Sequence, residues 1–223
     1  MISLSEASTP RRGFLGRVAL AAAALGLSGS APAALAAERV PRNTAGTDPE
    51  LDAWFGKLTG KHRQVFDAPF ANGGLAAVWP RVYLLTMDGT YPGEAGNAMV
   101  ILRHEAIPLA MQDALWAKYH FGEMFDIKGA DGPAMANPYA TITNLPLPGL
   151  GIAELLKSGV LIGVCNAALT VYSGAAAKKM NSDPATVKKE WVAGLFPGVQ
   201  VVPSGVMAVG RAQELGCSYC YAG

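Results

Sequence analysis

The stretch Lys157-Ser-Gly-Val-Leu-Ile-Gly-Val-Cys-Asn166 restricts the fold more than any other part of this chain. A Ser-Gly stop ends an amphipathic helix, a short apolar and mostly β-branched run follows, and a new helix begins just after Cys165. A run of that length, apolar on both faces and bounded by helices, reads as a buried parallel strand. Its C-terminal tip carries a thiol. In open α/β sheets that edge is where ligands collect.

The first residues stand apart from any such fold. Thr9-Pro-Arg-Arg-Gly-Phe-Leu-Gly16 sets an arginine pair before an apolar run from Val18 to Leu27 that is too short to span a bilayer, and Ala34-Leu-Ala36 fits a small-residue cleavage site. Residues 1–36 therefore read as a twin-arginine export signal. A periplasmic location follows, with no stable membrane insertion once the signal is cleaved. Removing them takes three arginines and one glutamate from 18 basic and 17 acidic side chains, leaving 15 and 16. A near-neutral chain has no electrostatic footprint for nucleic acid.

Residues 37–60 read as an N-terminal arm, polar at first and then a short helix from Glu50 to Leu58 opened by Asp48-Pro49. The domain spans residues 61–223. His62 to Asp67 forms a strand, the loop Ala68 to Gly74 leads to a helix whose effective start is Trp79-Pro80, and Asn97 to His104 forms the next strand. A helix over Ala106 to Phe121 follows, with Ile107, Met111 and Leu115 on one face. The segment Asp126 to Gly149, with four prolines, is irregular. Its length in a compact domain points to function or to a partner-binding insertion. After Cys165 come helices over Ala167 to Met180 and Ala185 to Leu195, a strand at Val199 to Val202, a helix over Val206 to Leu215 and a last strand, Cys217 to Tyr221. Repeated strand-helix alternation with short turns predicts an α/β fold, a flavodoxin-like three-layer sandwich around a mostly parallel five-stranded sheet.

The closing segment, Pro197-Gly-Val-Gln-Val-Val-Pro-Ser-Gly-Val206 followed by Arg211-Ala-Gln-Glu-Leu-Gly216, resembles the C-terminal signature of the DsrE/DsrF-like sulfur-relay family. Gly159 to Asn166 is similar to that family's penultimate motif, a strand ending in cysteine. The resemblance covers roughly residues 61–223. It implies a persulfide-carrying cysteine at Cys165, assembly into a homo-oligomer (trimer or hexamer), and a sulfur donor or acceptor protein, or a small sulfur species, as partner. The chain departs from the family pattern in its export signal and in Cys217 and Cys220.

At Cys165 the next helix offers backbone N–H groups and the positive end of its dipole, which favour a thiolate. An inert core thiol, a persulfide carrier, and a metal or haem ligand all remain open there. No cofactor is required by any motif: neither a phosphate loop nor a dinucleotide fingerprint is present, and Cys-x-x-Cys-His is absent. His104 closes the neighbouring strand and is expected at the same edge, where it would exchange a proton with the thiol or ligate a metal beside it. Asp67, Ser204 and Asn166 support that edge, Ser204 mainly as a turn or capping residue. Cys217 and Cys220 lie in one strand. Extended chain separates their Cα atoms by roughly 10 Å and turns their side chains to opposite faces, so they do not form a redox pair. Cys220 is expected near Cys165 instead, where the two would form a disulfide in an oxidising compartment. Trp116, Tyr119, Phe121 and Phe125, with Met111 and Met124, read as core or subunit interface rather than as a haem pocket.

Overall fold

A computed structural model describes residues 48–223, so the stretch read as an export signal and the first part of the expected arm, up to residue 47, lie outside the described residues. Helix α1 (Pro49–Phe55) is opened by Asp48, whose carboxylate accepts the Leu51 N–H at 3.1 Å, with Pro49 in the first turn. Strand β1 (His62–Ala68), helix α2 (Trp79–Thr90) and strand β2 (Gly96–Leu102) form the first unit, and the chain enters α2 at Trp79-Pro80 as the sequence predicts.

The predicted helix from Ala106 to Phe121 is not continuous. Residues His104–Ala110 form a tight 3₁₀ segment with Pro108 inside it, Met111 bridges to Leu195, and only Asp113–Tyr119 is α-helical (α3). Proline has no N–H to give an α-helical ladder, and that breaks the helix where apolar spacing alone would continue it. His120, at φ 51°, then divides α3 from the short α4 (Phe121–Met124). The irregular segment contains a small hairpin, β3 (Lys128–Gly129) with β4 (Gly132–Pro133). Helix α5 (Ile152–Lys157), strand β5 (Leu161–Cys165), helix α6 (Asn166–Lys179) and helix α7 (Pro184–Ala193) follow. Strand β6 (Gln200–Val202), helix α8 (Gly205–Glu214) and strand β7 (Ser218–Tyr221) complete the chain.

The strands lie in the order β6-β5-β2-β1-β7 and every pairing in this sheet is parallel. The architecture is a flavodoxin-like three-layer sandwich. From β1 through β2 and β5 to β6 the chain steps in one direction, so right-handed crossovers put the intervening helices on one face. The connection from β6 to β7 crosses back over the sheet and puts α8 on the other face.

Strand alternation divides the core accordingly. Phe66, Val100, Leu102, Ile162 and Val164 face the larger layer with Leu169 and Trp191, while Val65, Met99, Ile101 and Val202 face α1 and α8. Trp54 of α1 packs directly onto β5. A Cβ at Gly163 would lie 3.0 Å from that indole and 2.9 Å from Ile101, so the glycine makes room for the helix. The short helix expected in an arm is thus part of the second layer. The aromatic stripe is core: Trp116, Phe121 and Trp191 are fully buried, with the Phe121 and Trp191 rings edge-on at 4.8 Å.

Candidate functional site

Strand order decides where this sheet opens. The chain leaves β5 for α6 on the larger face and leaves β6 for α8 on the opposite face, so their C-terminal ends diverge between Cys165 and Ser204. Cys165 pairs with Val202 across that junction. Open α/β sheets place their ligand crevice at such a switch point.

Cys165 is buried and forms the N-cap of α6, where its Sγ accepts the Ala168 N–H at 3.4 Å. Capping turns the thiol toward the start of a 14-residue helix, whose backbone dipoles stabilise negative charge there. Asn166, the first residue of that helix, gives its carbonyl to the Thr170 hydroxyl at 3.0 Å and stays half-buried. Ser204 holds the N-cap position of α8 as expected, but its hydroxyl caps none of the helix amides.

Register brings an unexpected residue to the thiol. The β2–β5 register ends with Leu102 opposite Val164, so Arg103 and Cys165 each follow the last pair at the same end of adjacent strands, and the Cys165 charge is among those that act on Arg103. The Arg103 guanidinium is fixed by a two-point bond to Asp67, Nε to Oδ1 at 2.7 Å and Nη2 to Oδ2 at 2.9 Å. Asp67 also accepts the Tyr219 hydroxyl at 3.1 Å and is almost wholly buried. The Asp67 bond holds the Arg103 pKa above its ordinary value against the opposing effect of burial, with smaller contributions from Tyr219 and Cys165. The Arg103 stem runs past the start of α8, where a Cβ at Gly205 would stand 2.6 Å from the Arg103 Cβ. Only glycine accommodates that approach.

His104 stands at the same edge but turns away from this group. It adopts φ 50°, and its Nδ1 is hydrogen-bonded to the Tyr172 hydroxyl; Phe70 packs against the ring and Glu105 lies 3.8 Å from Nε2. Its partner Tyr172 belongs to α6, the helix that Cys165 caps, and packs in the larger layer, whereas the Arg103 stem packs against α8 on the other face. Burial, followed by the Glu105 charge, pushes the Tyr172 hydroxyl up to about 12. The folded protein then keeps a proton that the unfolded chain, with a tyrosine value of 10.0, has released. Stability should accordingly fall as pH rises from about 10 to about 12, and Tyr172→Phe should flatten that part of a urea-midpoint profile.

The cysteines do not meet. Cys220 pairs with Phe66 on β7, three strand intervals from β5, or about 14 Å across the sheet. The expected approach of Cys220 to Cys165 is therefore wrong, and all three thiols are free. An edge position for β7 could not be read from its sequence. Cys217 packs among α1 and α8 on one face and Cys220 against the other, as alternation requires; burial pushes the Cys217 thiol up. Among the described residues no group of three or more His, Cys, Asp and Glu side chains is placed to hold a metal ion. No described helix is long and apolar enough to cross a membrane.

Sequence reasoning found Cys165, Asp67 and Ser204 but missed Arg103, Tyr219 and Gly205. The β2–β5 register, which brings Arg103 to that edge, is not a local property of the sequence. Fold and site together define a three-layer α/β protein with a capped thiol and a braced arginine at the sheet's switch point. No family model matches the chain, and no curated protein does. Among solved structures it is similar to MTH1491, a protein of unknown function from Methanobacterium thermoautotrophicum, at 18% identity and a TM-score of 0.36, over 72% of this chain and 99% of that one.

Proposed function

We propose that this is an exported sulfur carrier of the DsrE type, which holds sulfane sulfur as a persulfide on Cys165 and passes it to a partner protein or small sulfur acceptor. The observation that carries the proposal is the placement of the Cys165 thiol at the switch point between β5 and β6, with its sulfur at the start of α6. A thiolate there attacks the outer sulfur of a donor persulfide, the donor S–S bond breaks, and the donor leaves as a thiolate. The reverse step delivers the sulfur. Exposed Val206 and Met207 on the first turn of α8 give a partner an apolar landing at the same edge of the sheet. His104 takes part only as a rim residue, because its ring is engaged with Tyr172. Export and assembly as a homo-oligomer belong to the same proposal.

Incubation with inorganic polysulfide followed by intact-mass analysis should show the mass of one added sulfur atom, removed by reductant. Cys165→Ser should lose the adduct, while Cys217→Ser and Cys220→Ser keep it. An unmodified wild-type protein, or an adduct that survives Cys165→Ser, would refute the assignment.

A further inference from the structure

We propose that Arg103 makes this edge selective for sulfane donors that carry an oxyanion, the thiosulfate type in which the transferable sulfur is bonded to a sulfonate. This rests on Cys165 being the sulfur acceptor. Arg103 and Cys165 each follow the last β2–β5 pair, Leu102 with Val164, so guanidinium and thiol share one end of adjacent strands, near enough for the Cys165 charge to act on Arg103. Its orientation is imposed. Asp67, only 6% exposed, takes Nε and Nη2, and the Tyr219 hydroxyl in turn holds Asp67. That two-point bond uses one edge of the planar fork and leaves Nη1 without a partner among the described residues, on a side chain still 29% exposed.

Asp67 neutralises the charge of the pair, so direction, rather than a broad positive potential, is what Arg103 supplies. A guanidinium with fixed N–H vectors suits the oxygens of a sulfonate, to which charge-assisted hydrogen bonds are strong. A persulfide donor without a sulfonate offers its N–H vectors no oxygens to bind. Gly205 contributes by leaving space for the Arg103 stem beside α8.

With such a donor the Cys165 thiolate attacks the outer sulfur. A new S–S bond forms on Cys165, the donor S–S bond breaks, and its electron pair departs with sulfite. No oxidant or reductant is consumed. Arg103 holds the sulfonate oxygens as they become those of the leaving sulfite, so its contribution appears in the loading step.

The test compares loading of the purified protein by thiosulfate with loading by an alkyl hydropersulfide, which carries no sulfonate, following adduct mass and released sulfite. Arg103→Gln should slow loading from thiosulfate about tenfold, the scale of one lost charge-assisted hydrogen bond, and change loading from the hydropersulfide by less than about twofold. Arg103→Lys, which keeps the charge but not the fork, should fall between and decides the matter if the glutamine variant does not fold. Equal slowing with both donors, or a wild type loaded by hydropersulfide but not by thiosulfate, overturns the selectivity and leaves the carrier intact. Failure of both donors to load the wild type overturns the two together.

Discussion

Asp67→Ala is expected to lower the folding free energy by roughly 3 kcal/mol, because it leaves the Arg103 guanidinium partly buried with no counter-ion. The carboxylate accepts two bonds from Arg103 and one from Tyr219, and all three donors lose their acceptor together. Partial exposure of Arg103 lets water recover some of the loss, which holds the estimate to the lower end for a broken buried pair. For a domain of this size the melting temperature should drop by roughly 6–12 °C. Combining Asp67→Leu with Arg103→Met should recover most of that stability, since two apolar side chains leave no unpaired charge behind. A double variant as unstable as Asp67→Ala would show that the pair is not the source of the cost. The double variant also removes the guanidinium from the thiol, so restored stability with lost thiosulfate loading would separate the structural use of Arg103 from its use at the site.

Trp191→Ala should cost roughly 4 kcal/mol in a denaturant titration. The indole is fully buried between α7 and the α3–α4 corner, with ring centroids 5.5 Å from Tyr119 and 4.8 Å from Phe121. The large aromatic volume it fills cannot be closed by exposed side chains moving inward. Trp191→Phe should cost much less, about 1–2 kcal/mol. It keeps an aromatic ring in the cluster and removes an indole N–H that has no hydrogen-bond partner among the described residues. If the phenylalanine variant were as unstable as the alanine one, the cost would lie in that N–H rather than in packing.

How far the sequence carried can be judged from particular elements. Asp48-Pro49 and Asp183-Pro184 announced α1 and α7, because a carboxylate that accepts from the third helical residue and a proline with preset φ are local devices. The β5 run ending at Cys165 was legible for a similar reason, since a strand buried on both faces has no polar alternation to obscure it. Pro108 was equally visible, and apolar periodicity still extended a helix through it. His120 was not foreseeable, because a histidine with positive φ has no strong sequence signal and is held there by the packing of α3 and α4.

The candidate site divides along the same line. Asp67, Cys165 and Ser204 end strands or open helices, and a residue's place at an element's end is local information. Arg103 and Tyr219 owe their roles to partners far away in the chain. His104 stands at the same edge with its ring bonded to Tyr172 of α6, a partner 68 residues away that its position in the sequence does not disclose.

The sequence by itself determined the alternation of strands and helices, the two-faced burial of the sheet and a thiol at one strand tip, all consequences of side-chain periodicity and capping chemistry. Only the tertiary structure decided what stands next to that thiol. The order β6-β5-β2-β1-β7 sets Cys220 three strand intervals from Cys165, and the β2–β5 register brings Arg103 to the same end of the neighbouring strand. Strand order and register arise from contacts between distant segments, in which many nearly equivalent apolar runs compete, and the winning arrangement is the one that packs both faces at once.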